Sequence, residues 1–209
     1  MRGRDIKKYG YEFADQYIIA TFPSRKYNID EYQSLKSYFL SFGIKKLEQT
    51  GKEYIINGEI VKARKKTNNK WFETQDSISY WDEFSKPKIV WGNLNTFGSY
   101  AIAPENMFIN APACMIVPGN TYLLAVLNSK IADYYLRTLG VVRNGGFFEY
   151  KPMFVEQIPI PKITTEKAKQ IDNIFSSSLS MEEKDVKIEE IIEGIYGLSR
   201  EEITFIHNL

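Results

Sequence analysis

The apolar residues of this chain fall in short runs cut by Pro and Gly as far as about residue 163, and recur at helical spacing beyond it. That change of pattern limits the fold more than any single motif. The stretch "YAIAPENMFINAPACMIVPG", residues 100–119, reads as two or three short strands, because Pro104, Pro112 and Pro118 cannot donate to a ladder. "QIPIPKI" is an extended connector, since Pro159 and Pro161 hold their neighbours out of helical conformation. Beyond it, Ser180 with Glu183 and Ser199 with Glu202 form two capping boxes. Val186, Ile191, Ile192 and Ile195 line the first of the two helices, and Gly197 followed by Leu198 supplies a Schellman ending. The expectation is an α+β fold: a mixed, mainly antiparallel sheet body with packed helices over residues 1–163, and a C-terminal helical tail over 164–209.

Within the body, "YEFADQYIIATF" mixes aromatic and β-branched residues and predicts a strand over Gln16–Phe22. Asp30 is a candidate N-cap for a helix from Glu31, with Leu35, Tyr38, Phe39 and Phe42 on one face. Asn57-Gly58 is a hairpin turn signal, and Lys88 to Trp91 a strand. A longer helix is expected from a Thr121 cap to Gly140, with Leu124, Leu127, Ile131 and Tyr135 in line. "VVRNGGFFEYKP" is a strand, a Gly-Gly turn and a second strand.

Hydrophobic content of 44% and aromatic content of 14% favour a folded globule over disorder. One Cys and one His rule out a disulfide framework and leave few ligands for a transition metal. The longest apolar stretch is broken by Lys130, Asp133 and Arg137, and the N-terminus has no apolar signal core, so a cytoplasmic protein without membrane contact is expected. The net charge of +1 conceals a gradient. Residues 1–90 hold 17 Lys/Arg against 12 Asp/Glu, whereas residues 164–209 hold 5 against 10. A basic front fits contact with a polyanion, and the acidic end fits a solvated helical face equally well.

Catalytic signatures are missing from the sequence. There is no Gly-rich phosphate loop and no Ser nucleophile elbow, and His207 stands alone near the C-terminus. Asp172, Glu182 and Lys184 match a nuclease-like pattern only loosely and fall on acidic helical faces. Cys114 lies in an apolar strand and reads as an inert thiol. Binding chemistry remains. Arg2 and Arg4, then Arg64, Lys65, Lys66 and Lys70, then Asn93 and Asn95, then Arg143 and Asn144 occupy four polar, turn-like stretches. Lys and Arg neutralise phosphates, Arg can fork onto guanine and Asn onto adenine. Each stretch taken singly reads as an ordinary surface loop; four of them on one domain without a catalytic centre favour binding.

Several motifs then occur in order: "RGRDIKKYGY", "KWFE" followed by "FSKPKIVWGNL", "LLAVLNSKIADYYLR", "RNGGFFEYKPMFVEQIPIP" and "IIEGIYGLSREEITFI". Together they resemble the TaqI-like C-terminal specificity domain of adenine-specific DNA methyltransferases, including the fused type IIG restriction-modification enzymes. The resemblance implies a module that recognises double-stranded DNA and has no catalysis of its own. It implies a partner in an N-terminal methyltransferase domain of the parent protein, which would use S-adenosylmethionine on a flipped adenine, and Mg if it cleaves. No "NPPY" occurs here, so this chain is expected to be a fragment or truncated product without a catalytic or metal site of its own. The resemblance assigns Trp71 and Trp91 to the core beside the reading surface, and Asn128 and Ser129 to packing hydrogen bonds. The alternative is a protein-interaction subunit that docks a partner methyltransferase or nuclease and meets DNA only in the assembly.

Overall fold

The computed structural model describes residues 1–208, and the chain divides into two compact units. Residues 1–16 and 82–209 form one, and residues 17–81 are inserted as the other. The first unit opens with a short antiparallel ribbon, β1 (Ile6–Lys7) and β2 (Gly10–Tyr11). The chain then leaves it through a segment with no regular structure as far as Pro23.

That segment contains the strand expected at Gln16–Phe22, which does not form. A strand exists only with a ladder partner. Here the Glu12 N–H donates back to Asp5 O and the Thr21 N–H to Ile19 O, while Tyr17, Ile18 and Ile19 are exposed.

The inserted unit begins with 3-10 turns and two short helices, α1 (Gln33–Leu40) and α2 (Ile44–Leu47). The helix expected from Glu31 starts two residues later. Asn28, not Asp30, caps the preceding 3-10 turn by accepting from Asp30 N at 3.2 Å. Gly43, at φ +86°, separates α1 from α2. The hairpin forms as the sequence predicts: β3 (Glu53–Ile56) pairs with β4 (Glu59–Lys62), and Asn57 and Gly58 take φ of +52° and +83°, as a type I′ turn demands.

In the first unit, β5 (Lys88–Trp91) is buried along its whole length. It is the centre of a three-stranded antiparallel sheet with β7 (Tyr100–Ala103) and β8 (Cys114–Ile116) on either side. Its alternation splits the core. Ile89 and Trp91 join the main cluster, whereas Val90 packs with Ile6, Ala101 and Ala103 on the other face. Lys88 shares the face of Val90, and its ammonium is satisfied by the carbonyls of Phe84 at 2.8 Å, Pro104 at 2.8 Å and Lys86 at 3.3 Å. Burial lowers its pKa.

The helix expected over 121–140 is two helices, α3 (Thr121–Leu127) and α4 (Lys130–Leu139). Asn120 caps the first and Ser129 the second. The break is decided by Asn128, whose side chain accepts from Tyr100 N and donates to Tyr100 O, both at 3.0 Å, and also donates to Leu124 O. Gly140, the expected end of the helix, is not left-handed but extended at φ −83°. It is small for another reason: a Cβ there would lie 3.1 Å from Leu136 O.

Two further strands, β6 (Leu94–Asn95) and β9 (Val142–Arg143), flank β10 (Phe147–Glu149). The short α5 (Pro152–Val155) leads through the Pro-rich connector to α6 (Thr165–Ser176), α7 (Met181–Tyr196) and α8 (Arg200–His207). Both expected capping boxes are present, and Gly197 is left-handed at φ +70°. Residues 164–209 contribute directly to the core, for Ile171, Ile188 and Ile192 are fully buried in the same cluster as Ile89, Trp91 and Leu124. Among the described residues no helix is long and apolar enough to cross a membrane.

Candidate nucleic-acid interface

In the first unit, two of the polar stretches identified in the sequence become one structure. Strand β6 carries Asn95 from "WGNLN", β9 carries Arg143 from "RNGG", and β10 pairs with both. Phe148 lies opposite Asn95, and Phe147 opposite Arg143. The turn joining β9 to β10 has Gly145 and Gly146 at φ +79° and +77°. Asn144 stands exposed beside it, with Leu94, Val142 and Phe147 also exposed on the ribbon.

Arg143 is held in place rather than free. Its Nε donates to Glu149 Oε1 at 2.7 Å, and its Nη2 donates to the same oxygen. Lys151 pairs with the other Glu149 oxygen at 2.6 Å. These two cations, Lys151 first, keep the Glu149 carboxyl below the usual range. The guanidinium is thereby oriented while it remains half exposed. Asn95 donates to Gly92 O at 3.2 Å. The Asn93 side-chain oxygen is buried without a hydrogen-bond partner among the described residues, and its backbone carbonyl accepts from Tyr150 N at 2.8 Å. Asn93 therefore sits behind the ribbon, while Asn144 and Arg143 sit at its tip.

Arg2 and Arg4 differ in the same way. Arg2 forks onto Asp5, with Nη2 2.7 Å from Oδ1 and Nε 2.9 Å from Oδ2. Its guanidinium pulls the buried Asp5 carboxyl down to about 2. Arg4 is exposed and is the freer of the two for an external anion.

The inserted unit holds the basic stretch. Residues 17–81 carry 11 Lys/Arg against 7 Asp/Glu, a net of +4, and the other unit carries 16 against 19, a net of −3. Arg64 turns inward. It donates to Leu47 O at 2.8 Å, to Glu73 O at 2.9 Å and to Trp71 O. Lys65, Lys66 and Lys70 are exposed. The loop between them is cross-braced: Thr67 bonds the Gln49 side chain at 2.6 Å, Asn69 reaches Thr74 O and Gln75 O at 2.9 Å, and Lys70 N donates to Glu73 Oε2 at 2.7 Å. Phe72 is buried, and Trp71 is half-buried with edge contacts to Phe39 and Phe72. Trp91 is buried with its indole N–H on Tyr150 O at 2.6 Å.

One residue pair was not singled out from the sequence. Phe97, just past β6, has Arg137 of α4 stacked on its ring at 5.2 Å, and the same guanidinium lies 4.2 Å from the Phe148 ring. Its only sequence signal is an aromatic next to a glycine, which is too common to select.

The loosely nuclease-like residues do not form a centre. Asp172 accepts from the Thr121 hydroxyl, and Lys184 donates to Phe175 O at 2.9 Å. Cys114 is half-buried, and burial raises its thiol pKa, opposite to what a nucleophile needs. A different group converges: ligand atoms of Glu189, Glu193 and His207 lie within 4.8 Å of one another. Each has a protein partner, His207 on Glu193 at 2.6 Å and Glu189 on the Lys130 N–H at 2.9 Å.

The family model of the TaqI-like C-terminal specificity domain matches residues 1–160. The chain belongs to that family. The match includes both ribbon stretches, the inserted basic unit and the Phe97 loop, and stops before α6. No curated protein matches the chain. A TaqI-like specificity domain carries a DNA-binding, target-recognition role in restriction-modification. Family membership thus supplies the ligand class, and among the candidate side chains Arg4, Lys65, Lys66, Lys70, Arg143 and Asn144 are exposed.

Proposed function

We propose that this TaqI-like specificity domain reads the target sequence for a type IIG-like restriction-modification enzyme or adenine-specific methyltransferase, with catalysis supplied by a separate N-terminal methyltransferase domain that uses S-adenosylmethionine. The observation that carries this reading is the ribbon β6–β10–β9. It places Asn95, Arg143 and Asn144, drawn from stretches about fifty residues apart, on one small sheet with an exposed tip. The β9–β10 hairpin that forms the tip is two-stranded, a shape the major groove admits, and there Arg and Asn have defined partners on guanine and adenine. The net +4 of the inserted unit supplies the sequence-independent part through Lys65, Lys66 and Lys70, and Arg4 adds to it from the other unit.

The two roles separate experimentally. A Lys65/Lys66/Lys70 triple alanine variant is expected to weaken binding to every duplex. It should also flatten the dependence of log affinity on log salt by about 0.9 for each phosphate that is no longer neutralised. Arg143→Ala or Asn144→Ala is expected to relax preference at one base pair, by about 1–3 kcal/mol, with little change in salt slope. Both are measured by fluorescence anisotropy against a randomised duplex pool. Unchanged salt slope in the triple variant refutes the phosphate assignment; unchanged sequence preference in both ribbon variants refutes the reading assignment.

A further inference from the structure

Phe97 is 68% exposed, and an exposed aromatic on a loop is usually free to turn. This one is not. The peptide before it is fixed by Arg137 Nη2 on Thr96 O at 2.6 Å, and the peptide after it by Gly98 N on Asp133 Oδ1 at 2.8 Å. Arg137 is itself held by Asp133 Oδ2 at 2.7 Å, and Asp133 by the buried Tyr150 hydroxyl at 2.6 Å. Gly98 fits because a Cβ would press on Asp133 Oδ1 and the Tyr100 ring, both at 3.3 Å. The result is an aromatic ring presented to solvent from a rigid mount. The Arg137 guanidinium, 5.2 Å from the ring centre, helps hold the ring, yet most of the side chain still faces solvent, so the mount makes sense when something else covers the rest of it.

Next to the ring lies a cleft of about 500 Å³, which Phe97 and Tyr134 help to line and Lys130 and Lys8 border. That volume falls in the range of small-ligand sites, roughly 300–1,000 Å³. Lys8 is paired with Asp185 at 2.6 Å, and the Lys130 side chain is exposed. An aromatic face with a neighbouring ammonium matches a nucleobase and its backbone phosphate, since every base offers a π-face and stacking tolerates any sequence.

We propose that Phe97 is a stacking platform for an unstacked base of DNA, that the base enters the adjoining cleft, and that Lys130 meets its phosphate. This rests on the DNA-recognition reading above and adds an interaction of a different kind from the ribbon tip. The test measures binding of the full chain to a single-stranded 12-mer and to the matching duplex by fluorescence anisotropy at one fixed salt concentration, with a salt series for Lys130→Ala. Variants are Phe97→Ala, Phe97→Trp and Lys130→Ala, each checked for an unchanged melting temperature. Stacking on one base corresponds to roughly a tenfold to hundredfold loss on alanine substitution. Phe97→Ala is expected to lose that much on the single strand, Phe97→Trp to restore it, and Lys130→Ala to weaken binding with a smaller salt slope. A Phe97→Ala variant that binds the single strand within twofold of wild type overturns the proposal. If wild type then still binds duplex, the recognition reading survives alone. A Phe97-dependent single-strand affinity with no duplex binding leaves the stacking site and removes the recognition reading, and absence of both interactions removes both.

Discussion

Arg64 is the residue on which sequence and structure differ most sharply in what a mutation should do. By composition it belongs to the basic cluster 64–70, and its loss would weaken DNA binding directly. In the structure it is the internal tie of that cluster. Its guanidinium reaches Leu47 O, Trp71 O and Glu73 O, joining the end of α2 to both sides of the chain that follows the loop. Burial lowers its pKa, yet a guanidinium remains charged throughout the accessible range. A hydrogen bond from a charged donor contributes about 1.5–3 kcal/mol. Three such bonds do not add in full, because carbonyls released near the surface regain water, so Arg64→Ala is expected to destabilise the inserted unit by about 2–4 kcal/mol. Arg64→Lys is expected to recover little, since an ammonium cannot fork across three carbonyls. Native-state hydrogen exchange is the suitable assay, because it reports each unit separately. Amides between residues 47 and 73 should exchange about thirty- to a thousandfold faster, with residues 82–208 unaffected. Exchange within threefold of wild type in the inserted unit would refute the reasoning. It would then follow that Arg64 is available to DNA after all.

Two further outcomes are expected. Asn128→Ala removes three hydrogen bonds to buried backbone at the α3–α4 break and leaves Tyr100 N without its acceptor, while Tyr100 O keeps the Tyr9 N–H, so a loss of about 2–3 kcal/mol is expected in urea denaturation, and a loss below about 1 kcal/mol would contradict its role. Glu189 gives a pH signature. It is only 7% exposed, and burial raises its pKa above the ordinary carboxylate value of about 4.3. Between the unfolded and folded values the native state holds the extra proton, so this group's contribution to stability falls as pH rises through that window. Glu189→Gln keeps an acceptor for the Lys130 N–H without the charge; its melting temperature relative to wild type should climb as pH rises above the ordinary carboxylate range, and parallel profiles would sink the assignment.

What could be read in the sequence was whatever is decided within a few residues. The capping boxes at Ser180 and Ser199, the left-handed Gly197 and the Asn57-Gly58 turn all depend on local backbone chemistry, and all are present. The strand Lys88–Trp91 was legible because four residues buried on both faces stand out against the Pro before them. What could not be read depends on partners distant in sequence. Gln16–Phe22 has strand composition but no neighbour to pair with, and composition carries no information about that. The helix break at Asn128 is set by the Tyr100 backbone, twenty-eight residues upstream. The inward turn of Arg64 requires acceptors from both α2 and the chain beyond the loop, so no window around "RKKTNNK" would disclose it. The same reasoning explains why a set of separate polar loops is an incomplete description of the proposed recognition surface. "WGNLN" and "RNGG" are each weak as separate loops. Pairing with β10 makes them one ribbon, and Phe97, which sits between β6 and β7 with no motif around it, is the residue whose mount most needs a function. A surface built by non-local pairing is specified by which loops share a sheet, and here that sharing places Arg143 and Asn144 at its exposed tip and leaves Asn93 behind it.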